Sequence, residues 1–200
     1  MNLRSTIKSA LYPIYERRIL ANLDLKKTPH HIGLILDGNR RWAKENPSAT
    51  GDTSSAHGHR AGANKIIELL NWCEETEINL VTIWLLSSDN LKRPSGELES
   101  LFTIIGDTVK QLSSTGRWRI RPVGSFELLP QELRDTLKSA ESKTAQIGGI
   151  TVNVAIGYGG RLEIVDAVKR YIADSANVGK DAKKIADDLT VDTIDQFLYT

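Results

Sequence analysis

Residues 32–42 read IGLILDGNRRW, an apolar run that ends in one carboxylate, a glycine, an asparagine and two guanidinium groups. Arg40 and Arg41 offer forked donors suited to phosphate oxygens. Gly38 lets the backbone approach a ligand, and the N–H groups that follow from Asn39 at a helix start would point at an anion. Asp37 would repel that anion unless a hard cation such as magnesium bridged the two. The group reads as a cradle for a metal and a diphosphate. The competing reading is an aspartate N-cap followed by solvated arginines.

Two further stretches carry similar chemistry. In HGHRAG, His59 and Arg60 open the next helical pattern and can bring donors to the same anion. His57 and His59 lack a third ligand for a metal, so a phosphate contact is the reading for His59. In SSDNLKRPSGE, Ser87, Ser88, Asp89 and Asn90 can hydrogen-bond a polar head and Arg93 can hold a second anion. Pro94 suits a first helical turn, and Ser95, Glu97 and Glu99 read as capping residues. GYGGRLE invites a dinucleotide reading, but Leu162 stands where the last glycine of that fingerprint belongs. The phosphate loop of NTPases, the H-E-x-x-H zinc motif and the G-x-S-x-G elbow are absent.

Elements must position these residues. Short apolar runs at HIGLILD, NLVTIWLL, WRIRPVG and ITVNVAIG have the length and β-branched content of buried strands. Between and after them, AGANKIIELLNWCEET, SGELESLFTIIGDTVKQL, PQELRDTLKSAESKT and LEIVDAVKRYIADS show helical spacing. The alternation predicts a single α/β domain with a central, mainly parallel sheet flanked by helices. Ligands of such sheets collect beyond the carboxyl ends of the strands, where DGNRRW, SSDNLKRP, GSFE and GYGGR stand. ENPSATGDTSSAHGH reads as a mobile loop.

Bulk properties narrow the function. In 200 residues, 26 lysines and arginines face 25 acids, so no basic field points to nucleic acid. Cys73 is the single cysteine, which excludes an internal disulfide and a thiolate zinc site and fits a reducing cytoplasm. The N-terminal stretch has no apolar core of a secretory signal. It can form an amphipathic helix with Lys8, Arg17 and Arg18 beside Leu11, Ile14 and Leu20, suited to a membrane surface or to packing on its own domain.

HIGLILDGNRRWAK, HGHRAG, SSDNLKRPSGE and NVAIGYGGRLEIVDAVKR, in this order, resemble the cis-prenyltransferases, a family that includes undecaprenyl diphosphate synthase. The resemblance runs from about residue 29 to 200, leaving 1–28 as an N-terminal helical segment. It implies addition of isopentenyl diphosphate to an allylic diphosphate with a new cis double bond, dependence on Mg2+, a homodimer, and a cytoplasmic enzyme that touches the inner face of the membrane peripherally. By motif, Asp37 is similar to the aspartate that binds magnesium and the allylic diphosphate. Gly38, Asn39, Arg40 and Arg41 resemble the stretch around that diphosphate, with Trp42 beside it and His59 adding a donor. Asn90 resembles the asparagine assigned to proton removal at the condensing carbon, assisted by Ser87, Ser88 and Asp89, and Arg93 an arginine near the same head groups.

Three departures follow from the same resemblance. Ser55 stands where the family has an arginine before the HGHRAG histidine, and the loop around residues 47–56 is longer. The chain ends at DQFLYT, where the family continues into a segment holding the basic residues for isopentenyl diphosphate and a magnesium-binding glutamate. The fold is therefore expected without its C-terminal part, and a non-catalytic subunit or inactive fragment is the competing class. Leu85 and Leu91 replace the alanine and tryptophan of long-chain members, which favours a short product such as Z,E-farnesyl diphosphate over a polyprenyl carrier. Leu101, Phe102 and Ile105 are the next candidates to line the product tunnel.

Overall fold

The computed structural model describes residues 3–199; the side chains of residues 3–11, 13 and 177 are outside that description. Four strands, β1 (His31–Ile35), β2 (Leu80–Ser87), β3 (Arg119–Val123) and β4 (Thr151–Tyr158), form one sheet in the order β1-β2-β4-β3. All pairings are parallel, with Ile32 opposite Val81, Val81 opposite Val152, and Ile120 opposite Val152. The helices are α1 (Leu3–Asn22), α2 (Asn39–Glu45), α3 (Ser55–Glu75), α4 (Ser95–Ser114), α5 (Gln131–Thr144), α6 (Gly160–Asn177), α7 (Ala182–Asp187) and α8 (Val191–Asp195). Every strand and long helix expected from periodicity is present.

β4 has neighbours on both sides, and its interior is buried on both faces. Val152, Val154 and Ile156 pack there with Val81 and Ile83 of β2 and with Val109 and Leu112 of α4. Each fully buried aliphatic side chain of this kind contributes about 1.5–3 kcal/mol relative to exposure. Two polar groups at the core are paired across elements: Trp118 Nε1 donates to Glu74 Oε1 at 2.6 Å, and the Ile120 N–H donates to Thr144 Oγ1 at 2.9 Å.

Two local features differ from the sequence reading. α3 starts at Ser55, so residues 55–59 of the expected loop are helical; Ser54 caps the helix by accepting from the His57 N–H at 3.2 Å. The β2–β4 register slips twice, with Trp84 opposite Ala155, Leu86 opposite Ile156 and Ser87 opposite Tyr158. Leu85 is left without a partner, and Gly157 takes a positive φ of 64° on the other strand. Such bulges bend a strand and re-aim its side chains. On α1, Tyr12, Ile14 and Tyr15 are exposed, whereas Lys8 and Leu11 of the amphipathic pattern lie outside the described side chains. Among the described residues, no helix is long and apolar enough to cross a membrane.

Candidate active site

The carboxyl ends of β1 and β2 open into a cavity of about 570 Å³, closed on one side by α4. Its lining combines two chemistries: charged and polar side chains, among them Asp37, Arg40, Arg41, His59, Asn90 and Arg93, and large, mostly apolar ones, among them Trp84, Leu85, Leu86, Leu101, Ile104 and Ile105. The stretch after β1 and the stretch after β2, 50 positions apart in the chain, meet here because β1 and β2 are adjacent parallel strands.

Asp37 does not cap α2. Gly38 holds the N-cap position at φ 87° with no side-chain cap, and Asp37 Oδ1 accepts only from the Gly38 N–H, at 2.6 Å. The carboxylate is exposed at the cavity mouth. Among the described residues, no group of three or more His, Cys, Asp or Glu side chains could hold a metal by itself. A lone carboxylate beside an anion site suits magnesium, which keeps several waters and takes its other ligands from substrate phosphates.

The hydrogen bonds determine the tautomer of His59. Asn39 Nδ2 donates to the Leu36 carbonyl at 3.0 Å, which identifies that atom as the amide nitrogen. The same Nδ2 lies 3.2 Å from His59 Nδ1, so Nδ1 accepts and the proton sits on Nε2. Burial, then the Arg93 cation, push the imidazole below its ordinary pKa, with Arg40 acting the same way and Glu97 opposing. His59 is therefore a neutral donor at pH 7, and its buried Nε2 has no protein partner. A buried N–H on the wall of a cation-lined cavity calls for a ligand oxygen.

Asn90 is held in a short turn: its N–H donates to Ser87 Oγ at 3.1 Å, and its Oδ1 accepts from Arg93 Nη2 at 3.0 Å. Arg93 also donates through Nη1 to Glu97 Oε1 at 2.9 Å. The expected capping role of Ser95 and Glu97 is not what forms: Pro94 takes the N-cap position without a side-chain bond, and Glu97 turns back to Arg93.

Four expected contacts lie outside the cavity lining. Trp42 stacks near His57 at 5.4 Å between ring centroids; Ser88 packs where a Cβ on Gly159 would meet its Oγ at 2.5 Å. Asp89 is exposed and pairs with Lys92 at 2.9 Å, and Leu91 packs on the core. Phe102, expected to line a product tunnel, faces a separate groove between α4 and α5, and Ile104 lines the cavity instead. Gly58 and Gly62 were missed by motif reading. A Cβ on Gly58 would come within 2.0 Å of the Asn39 carbonyl oxygen, and one on Gly62 within 2.6 Å of Asn39 Oδ1. These glycines let α3 support the start of α2, and their four-residue spacing on one helix face was the available signal.

The family described as "Putative undecaprenyl diphosphate synthase" matches residues 35–200. The chain belongs to the cis-prenyltransferase family. An isoprenyl transferase of Streptomyces avermitilis is 50% identical over 200 residues, covering 100% of this prenyltransferase and 76% of its own length. A (2Z,6E)-farnesyl diphosphate synthase of Thermobifida fusca is 49% identical over 173 residues, 86% of this chain and 66% of its own. Among solved structures, lavandulyl diphosphate synthase from Lavandula x intermedia, in complex with dimethylallyl diphosphate, superposes with a TM-score of 0.75 at 29% identity, over 86% of this chain and 71% of that one.

Proposed function

We propose that this prenyltransferase condenses isopentenyl diphosphate with an allylic diphosphate to form a cis double bond, and that it stops at a short product of the Z,E-farnesyl type. The observation that carries the reading is a single cavity whose lining joins the Arg40, Arg41 and Arg93 cations and the unpartnered His59 Nε2 to the aliphatic side chains of Leu85, Leu86, Leu101, Ile104 and Ile105. A diphosphate bearing a short hydrocarbon chain matches both chemistries. The names of the relatives support the short product, as does Leu85 at the bulge.

In this reading Arg40, Arg41, Arg93 and His59 Nε2 donate to the allylic diphosphate, and Asp37 holds Mg2+ against it. Bound magnesium supplies Lewis-acid stabilisation of the charge on the departing diphosphate. The guanidinium and imidazole donors, fixed before reaction, stabilise the same charge as the allylic C–O bond breaks. Arg93 donates to the amide oxygen of Asn90 and so orients the amide, and Asn90 assists proton removal at the condensing carbon with Nδ2 donating to a diphosphate oxygen. Homodimer formation and peripheral contact with the inner face of a membrane belong to the same proposal; the exposed Tyr12, Ile14 and Tyr15 on α1 support the membrane contact.

The test is to incubate the protein with labelled isopentenyl diphosphate, geranyl diphosphate and magnesium and to separate the products by chain length. Extension by one unit is expected. Long polyprenyl products would overturn the short-chain reading, and geranyl diphosphate binding without extension would mark a non-catalytic subunit.

A further inference from the structure

Glu97 is an acid beside a site built for anions. Its carboxylate joins Arg93 at 2.9 Å, with the two side chains only 23% and 19% exposed. A first-turn acid is favourable to a helix dipole from an exposed position, so that benefit alone does not explain why Glu97 turns inward. The inward turn completes a chain: Glu97 Oε1 accepts from Arg93 Nη1, and Arg93 Nη2 donates to Asn90 Oδ1 at 3.0 Å. Of the five N–H groups of Arg93, two are used in this way, and among the described residues the other three have no side-chain or carbonyl acceptor and can serve a ligand. The amide of Asn90 is oriented at the same time, because an arginine can only donate and so must face the carbonyl oxygen. Without Glu97, the long Arg93 side chain would recover its rotamer freedom and Asn90 would be free to flip.

We propose that Glu97 is a positioning residue, which holds Arg93 and through it Asn90 in the geometry that receives the diphosphate. The inference rests on the allylic diphosphate reading of the cavity. It also predicts the sign of an effect. An acid that merely stood near the site would repel the ligand, and its removal would tighten binding. An acid that positions Arg93 weakens binding when removed.

The experiment measures geranyl diphosphate affinity by calorimetry with magnesium present, and the extension rate alongside it, for the whole chain and its variants. Glu97→Ala should weaken binding and slow extension by roughly tenfold to a hundredfold. Glu97→Gln, which keeps the acceptor oxygen without the charge, should recover most of both. Glu99→Ala, an exposed acid on the same helix that faces the other groove, should behave as wild type in both readouts. In an Arg93→Ala background, Glu97→Ala should have no further effect. The inference is overturned if Glu97→Ala binds as tightly as wild type or more tightly, or if its loss persists undiminished beside Arg93→Ala. Failure of the unmutated chain to bind geranyl diphosphate would instead bring down the functional reading, and this inference with it.

Discussion

Gly58→Ala tests whether the cationic lining of the cavity depends on how closely α2 lies on α3. The added methyl carbon would sit 2.0 Å from the Asn39 carbonyl oxygen and 3.2 Å from the Cβ of Ala43. A relaxed carbon–oxygen contact is roughly 3.3–3.6 Å, so the first residue of α2 must retreat by about 1.3 Å. Asn39, Arg40 and Arg41 retreat with it, because they are the first three residues of that helix. Overpacking of this kind costs about 1–3 kcal/mol, and the better helix propensity of alanine offsets about 1 kcal/mol of it. The obstacle is backbone, which cannot rotate away, so the cost belongs near the upper end and the net loss is about 1–2 kcal/mol. In a chain of this size that lowers Tm by about 2–8 °C. A displacement near 1 Å can cost a site up to about a hundredfold, and geranyl diphosphate affinity should fall by at least about tenfold. Gly62→Ala meets only the Asn39 amide, at 2.6 Å from Oδ1, so it should cost less stability while still breaking the Asn39–His59 bond. Thermal melts and titration calorimetry on both variants check this. A Gly58→Ala protein that melts at or above the wild-type temperature and binds geranyl diphosphate undiminished would refute the packing argument.

Asp37→Ala should reduce extension by about a hundredfold or more, yet leave Tm within about 2 °C, because Asp37 is exposed and caps no helix; a near wild-type rate at saturating magnesium would count against its assignment. Asn90→Asp keeps an acceptor for Arg93 but replaces the amide donor, so single-turnover condensation should drop by about tenfold or more; a held or raised rate would show that a base, not a donor, is needed there. Leu85→Ala should shift products towards longer chains, at a stability cost near the lower end of about 2–5 kcal/mol because Leu85 is only half-buried beside a cavity. An unchanged product distribution from a folded Leu85→Ala protein would move the length limit to Leu101, Ile104 or Ile105.

The strands and long helices were legible because each is announced by a period that survives in the letters: β-branched runs of five to eight residues, and apolar residues three and four apart. Strand order was not. Nothing in ITVNVAIG distinguishes a strand that enters between β2 and β3 from one added at an edge, except that it is apolar almost throughout, and β4 proves to be buried on both faces. The start of α3 was misplaced for a different reason. In TSSAHGH two serines and a threonine could each cap a helix, and the choice of Ser54 depends on which hydroxyl reaches a backbone N–H. The bulge at Leu85 is invisible in sequence because it is a mismatch between two strands 70 positions apart and belongs to neither alone.

The site divides along the same line. Asp37, Arg40, Arg41, Asn90 and Arg93 could be found because a parallel sheet delivers whatever follows its strands to one rim, so position in the chain already implied position in space. What could not be found was the direction in which a side chain spends its hydrogen bonds. Glu97, at the third position of α4, has the spacing of a capping acid and also stands four residues after Arg93, and both are legitimate helical neighbours. The choice falls to Arg93 because Pro94 takes the N-cap position: proline has no N–H for a capping acid to accept from. The sequence R-P-S-G-E and the position of the helix start are enough to see it, and the Glu97 carboxylate serves Arg93, which lines the cavity, rather than the helix that carries it.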